Sequence, residues 1–191
     1  MPVSDYLTGQ LLLAMPGMAD PRFFKGVIFL CLHDNKGALG LRINSPIPGL
    51  AFGPLMEQLD LAPESAIAPD MRNRPVFTGG PVESSRGFVL HDDSFHCKDT
   101  LTITDHIRLT STTDGLKDIA ARAEPLRSRF ILGYAGWQAG QLERELQDNA
   151  WMTLPATPEL VFSIEPSMQW ESGFSGLGVD PASLSNSAGH A

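Results

Sequence analysis

The residues best able to do chemistry cluster in "VFTGGPVESSRGFVLH", Val76 to His91. A Gly-Gly-Pro corner, Gly79 to Pro81, precedes two serines, Arg86 and an apolar run that ends in His91. Backbone amides at such a corner, with Arg86 beside them, would suit a small anion. Another apolar run, Gly26 to His33, ends in a second histidine. If the two runs are neighbouring strands, His33 and His91 converge with His96 and Cys97 nearby. Those are nitrogen and sulfur donors of the kind zinc takes. Gly79, Gly80, Arg86, His91 and His33 are therefore the candidate ligand-site residues.

Each feature also has a plainer reading. The corner matches neither G-x-x-x-x-G-K-[ST] nor G-x-G-x-x-G, and Pro81 removes a donor from it. Positive φ and close chain approach are reason enough for paired glycines. The histidine spacings match no standard zinc pattern, and hydrogen bonds to loop carbonyls would account for them. No metal or organic cofactor is expected. Cys31 shares a strand face with His33, but it stands in the most apolar run, where burial makes a thiol inert. Cys97, in "DDSFHCKD", should be the more exposed thiol. Ser84 and Ser85 lack a nucleophile elbow and a placed acid. "GYAGWQAGQLEREL" is a Gly-rich loop entering a helix, where an anion could sit. Glu143 and Glu145 already bring negative charge there, and Leu142, Leu146, Trp137 and Trp151 read as packing residues.

The chain is 191 residues long, 42% hydrophobic and 19% charged, which fits a single domain with an ordinary core. Its 22 acidic and 14 basic side chains give a net charge of −8. That repels polyphosphate unless a local basic patch overrides it. No stretch of sequence supplies one; the densest, Arg122 to Arg129, mixes three arginines with Glu124. Glu143, Glu145 and Asp148 outnumber Arg144 between Gln141 and Ala150, which is the wrong surface for reading base edges. Direct nucleic-acid binding is therefore not expected. The apolar segment Leu11 to Met15 is too short for a signal sequence and has no basic residue before it. Val27 to Leu32 is too short to span a membrane. The two cysteines form no C-x-x-C pair, so a cytoplasmic protein with reduced thiols is expected.

These residues need elements to position them. Strands are predicted over Gln10 to Met15, Gly26 to His33, Val76 to Thr78, Gly87 to His91, Thr100 to Thr104 and Arg129 to Ala135. "DNKG" joins the second strand to "KGALGLRIN" as a hairpin, with Leu39, Leu41 and Ile43 on one face. Helices are predicted at Asp20-Pro21, from Pro54 with Leu55, Met56 and Leu59 inward, over Asp114 to Glu124, and over Gln141 to Ala150. Glu159 to Ile164 fits either period. Irregular alternation and hairpin-length turns predict one α+β domain over residues 1–191. Its sheet should be mixed, mostly antiparallel and curved, with flanking helices and a tail from residue 180.

Four separated stretches resemble the bacterial AlgH/YqgE family. They are "LLLAMPGMADPRFFKGVIFLCLHDNKGALGLRINSP", "VFTGGPVESSRGFVLH", "GYAGWQAGQLERELQDNAW" and the closing "LGVD…GHA", and they occur in the family's order. The resemblance implies a cytoplasmic protein without established catalytic residues, labelled in some members a transcriptional regulator. Where that family often has an Ala-rich final helix, this chain has Glu171-Ser172-Gly173-Phe174, which are poorer helix formers. The combined reading is a non-catalytic regulatory protein that binds a small anion or a protein partner. The alternatives are a transcriptional regulator acting on DNA directly, and a hydrolase-like enzyme built on Arg86, His91 and His33.

Overall fold

The computed structural model describes residues 6–122 and 127–184. Its strands are β1 (Gln10–Ala14), β2 (Val27–Asp34), β3 (Gly37–Arg42), β4 (Pro46–Ala51), β5 (Pro75–Thr78), β6 (Val82–His91), β7 (Leu101–Thr102), β8 (Arg108–Thr110), β9 (Ser128–Gln138) and β10 (Trp151–Pro155). Its helices are α1 (Phe52–Gln58), α2 (Pro69–Arg72), α3 (Thr113–Ala120), α4 (Gln141–Gln147), α5 (Gln169–Gly176) and α6 (Pro181–Leu184). The predicted α+β class holds, with a mixed, mostly antiparallel, curved sheet. Eight strands follow the order β10-β1-β2-β3-β9-β6-β8-β7, and β4 joins through β5. The β5–β9 pair is parallel.

The apolar periodicity explains how the sheet is covered. Leu11, Leu13, Val27, Phe29 and Cys31 face one core, together with Phe88, Leu90 and Ile131. Their sequence neighbours Leu12, Ala14, Ile28 and Leu30 face the other side. A strand buried on both faces must be apolar throughout, which is the pattern of β1 and most of β2. The first core is closed by a π-type turn, Glu159–Ser163, and by α5 through Trp170 and Phe174. The opposite face is covered in two places: by α4 with Trp137 and Trp151, and by α1 and α3 over Val76, Val89 and Phe130.

Several boundaries differ from expectation for local reasons. A register shift between Leu30 and Leu32 turns Leu32 outward, 52% exposed, so β2 is not buried throughout. In α1 it is Phe52, Gly53 and Met56 that are buried, while Leu59 is 48% exposed just past the helix end. Helix α3 starts where the Thr112 hydroxyl accepts the Gly115 amide, and it stops at Ala120. The remaining predicted turn partly falls on 123–126, outside the described residues. Helix α4 ends at Gln147, earlier than expected. Helix α5 forms despite Gly173, because packing requires that glycine: a Cβ there would lie 2.8 Å from the Leu13 side chain. Tertiary contact outweighs propensity here. Of the predicted tail, Pro181–Leu184 is helical, and 185–191 lie outside the described residues. No helix among the described residues is long and apolar enough to cross a membrane.

Candidate functional site

Strands β5 and β6 both pair with β9 over Phe130 to Leu132, so they occupy its two opposite edges. The Gly79–Pro81 corner must carry the chain across β9 from one edge to the other. It crosses over Gly133 to Ala135 at backbone contact. A Cβ on Gly79 would lie 2.2 Å from the Gly133 carbonyl oxygen, and one on Gly80 2.2 Å from the Tyr134 carbonyl carbon. Gly133 faces them at φ +74°, where its own Cβ would meet the Gly80 oxygen at 2.7 Å. The Gly79 amide donates to Leu132 O and its carbonyl accepts from the Arg42 amide, both at 2.8 Å. The paired glycines are therefore a crossing device, and the Gly79 amide is not available to an anion.

Beyond the crossing, β6 bulges. Four residues between Val82 and Gly87 run against the single Gly133 of β9, with Glu83 at φ +44°. The bulge presents Glu83, Ser84, Ser85 and Arg86 to solvent. Arg86 pairs with Glu83 at 3.3 Å and lies over the Phe88 ring at 5.1 Å.

The histidines do not meet. His33 lies opposite Ala38, and Ala38 opposite Trp137 of β9. His91 lies opposite Ser128, at the other end of β9. Nine strand positions separate Ser128 from Trp137, on the order of 30 Å. His33 Nδ1 accepts the Leu7 amide at 3.0 Å, so Nε2 carries the proton it donates to Glu143 at 3.0 Å. His91 is fully buried, with Nδ1 donating to Asp92 O at 2.8 Å and Nε2 2.9 Å from the Thr110 hydroxyl. Burial holds its pKa below the usual imidazole value. From Thr110 the hydroxyls continue to Thr100 at 2.8 Å and then to Cys97 Sγ at 3.2 Å. Cys31 is buried and its thiol pKa is pushed far up by desolvation. Among the described residues no group of three or more His, Cys, Asp or Glu has the geometry to hold a metal.

A cleft of about 300 Å³ opens where the corner leaves β9. Pro81 and Val82 form one wall. Trp137, Trp151 and Phe23 form the apolar remainder, with Gln141 and Glu145 projecting from α4. Glu145 organises it. Its Oε2 accepts the indole N–H of Trp137 at 2.9 Å and of Trp151 at 2.8 Å, and its Oε1 accepts the Gln141 amide at 2.9 Å. The two indoles stand edge to face at 6.1 Å and 77°. Phe23 meets Trp151 at 5.7 Å. No basic nitrogen among the described residues lies within 4 Å of the Glu145 carboxylate. Arg22 also lines the cleft, but Asp20 engages it at 2.6 Å. A carboxylate offers about four acceptor positions, so three donors leave one open.

Sequence reasoning placed Glu145 merely as negative charge near a helix start. Its indole partners lie eight residues before and six after it, a spacing that no motif describes. One signal was available: three of the stretches that carry the family resemblance each contribute to this cleft, through Met18 to Phe23, Pro81 to Val82 and Ala135 to Trp151.

A family model described as AlgH-like matches residues 11–182. The chain belongs to the AlgH-like family. It is 48% identical over 194 residues to a UPF0301 protein of Methylobacterium nodulans, covering 100% of this chain and 92% of that one. It is 49% identical over 187 residues to a UPF0301 protein of Jannaschia sp., covering 97% and 95%. The solution structure of the AlgH protein from Pseudomonas aeruginosa matches with a TM-score of 0.78 at 40% identity, covering 100% of this chain and 99% of that one. A crystal structure from Corynebacterium diphtheriae, 17% identical with a TM-score of 0.70 over 92% of this chain and 90% of that one, shares the fold.

Proposed function

We propose that this AlgH-like chain is a non-catalytic regulatory binding protein. Its cleft beside the β9 crossing takes an ammonium or guanidinium group of a small molecule or of a partner's side chain. The observation that carries the reading is the Glu145 carboxylate, fixed by two indoles and an amide, without a basic partner among the described residues and with one acceptor position open. Aromatic walls around a carboxylate suit a cation. The net charge of −8 favours the approach of a basic ligand. The alternative of direct DNA reading has weaker support, since α4 carries Glu143 and Glu145 against Arg144.

Calorimetric titration with n-butylammonium and with arginine amide, at constant ionic strength, tests the proposal. Wild type should bind saturably. Glu145→Gln keeps an acceptor for the indoles, gives up the one for the Gln141 amide and removes the charge, so it should lose about tenfold or more in affinity, the worth of one charged hydrogen bond, while its circular dichroism stays that of wild type. Equal binding by wild type and variant would contradict the assignment.

A further inference from the structure

The other end of β9 carries a second cleft, of about 350 Å³, lined by Arg74, Arg127, Ser128 and Arg129. Arg74 arrives from just before β5, so sequence proximity conceals the cluster. Arg129 is buried, 5% exposed as a residue, and its guanidinium lies over Phe77 at 4.7 Å. It donates to three backbone carbonyls: Val161 at 2.6 Å, Ile43 at 3.0 Å and Ile164 at 3.1 Å. A guanidinium has five N–H donors, so two remain. No carboxylate lies within 4 Å of it among the described residues. Arg127 pairs with Asp92 through Nε at 3.1 Å, and neither of its terminal nitrogens has a partner among those residues. Arg74 donates to Ser128 Oγ at 2.6 Å, which leaves the Ser128 hydroxyl hydrogen to donate elsewhere. One acidic side chain, the exposed Glu165, lines the cleft.

We infer that this cleft binds the phosphate group of a small phosphorylated molecule. A buried cation whose hydrogen-bond partners are all neutral carbonyls is offset only from a distance, by the exposed Glu165, and a bound anion supplies direct counter-charge. Unused donors on Arg127, Arg129 and Ser128 outnumber the two oxygens of a carboxylate and suit the several oxygens of a phosphate. The cleft is larger than a phosphate, and its Phe77 and Phe162 walls suit an apolar remainder of the ligand. Three arginines and one acidic side chain line the cleft, with Asp92 paired to Arg127 and both Asp70 and Asp92 acting on Arg74.

Arg129 cannot serve as the test variant, because it ties Ile43, Val161 and Ile164 together and its loss would unfold the site. Inorganic phosphate is titrated instead into the full chain, followed by amide and guanidinium chemical shifts, with acetate and chloride at matched ionic strength. Saturable phosphate binding centred on Arg127 to Arg129 is expected, with acetate weaker and chloride inert. Arg127→Gln should lose about tenfold in affinity. Glu165→Gln, which removes the opposing charge, should gain roughly two- to fivefold. Glu145→Gln, in the other cleft, should change nothing, so the two assignments stand or fall separately. Absence of saturation, equal response to acetate, or identical affinity in Arg127→Gln would each overturn the inference.

Discussion

His91 commits both ring nitrogens inside the protein, and that commitment makes it sensitive to pH. Desolvation is the largest influence lowering its pKa from 6.5, with the Arg108 and Arg122 charges adding to it; the Asp92 carbonyl and carboxylate act in the opposite direction. An unfolded chain takes up the proton near pH 6.5, and the folded chain only at lower pH. The stability linked to His91 is therefore complete above about pH 6.5 and is lost as pH falls through the folded-state value. Melting temperature should decline from about pH 7 toward pH 5 in wild type. His91→Asn should melt lower overall and show a flatter profile in that window. An identical slope in the variant would show that another group is responsible. At this scale the sequence was informative about burial and poor about partnership. The apolar run around Cys31 announced a buried thiol, and the thiol is buried. The Thr110–Thr100–Cys97 relay beneath His91 links residues nineteen, ten and three positions apart in sequence; the pairing of β6 with β8 brings Thr110 to His91, and that of β7 with β8 brings Thr100 to Thr110.

The crossing of the Gly79–Pro81 corner over β9 is the element on which the rest of the geometry hangs. A Cβ at either glycine would sit inside the van der Waals radius of β9 backbone, and backbone cannot rotate out of the way as a side chain can. Gly79→Ala and Gly80→Ala should each destabilise the fold by about 1–3 kcal/mol or more. Arg86→Ala removes one exposed ion pair and should cost less than about 1 kcal/mol. Urea unfolding of the three variants checks this, and tolerance of both alanines would contradict the crossing. The sequence signalled a backbone device at this corner, because two adjacent glycines before a proline have few other uses. It did not signal what was being crossed. Strands β4, β8 and β10 escaped notice for similar reasons. Pro46, Pro48 and Gly49 interrupt the period of β4, and the ladder there registers only at Pro46 and Ala51. Strand β8 has three residues, too few for a period. Strand β10 begins at the tryptophan that closes the α4 cleft, and its residues Met152 and Thr153 are only half-buried.

Over the whole molecule, one sheet buried on both faces holds two clefts at opposite ends of β9. One is organised by a carboxylate and the other by guanidinium groups. Fold class, hairpin and most strands follow from periodicity and turn chemistry, because those signals are local. Neither cleft was legible, because each is assembled from segments that the sheet alone brings together: Arg74 with Arg127 and Arg129, or Pro81 with Trp137, Glu145 and Trp151. Net charge is blind to such grouping, since an average of −8 says nothing of three arginines lining one cleft. Binding at the Glu145 cleft is read directly from the indole N–H signals of the three tryptophans. Trp137 and Trp151 donate to Glu145, whereas Trp170 donates to the Ala14 carbonyl at 2.8 Å, away from the cleft. In a nitrogen–proton correlation spectrum titrated with n-butylammonium, the Trp137 and Trp151 indole signals should move together along one saturable curve while the Trp170 signal stays fixed. Movement of all three in parallel, or of none at high cation concentration, would contradict cation binding at Glu145.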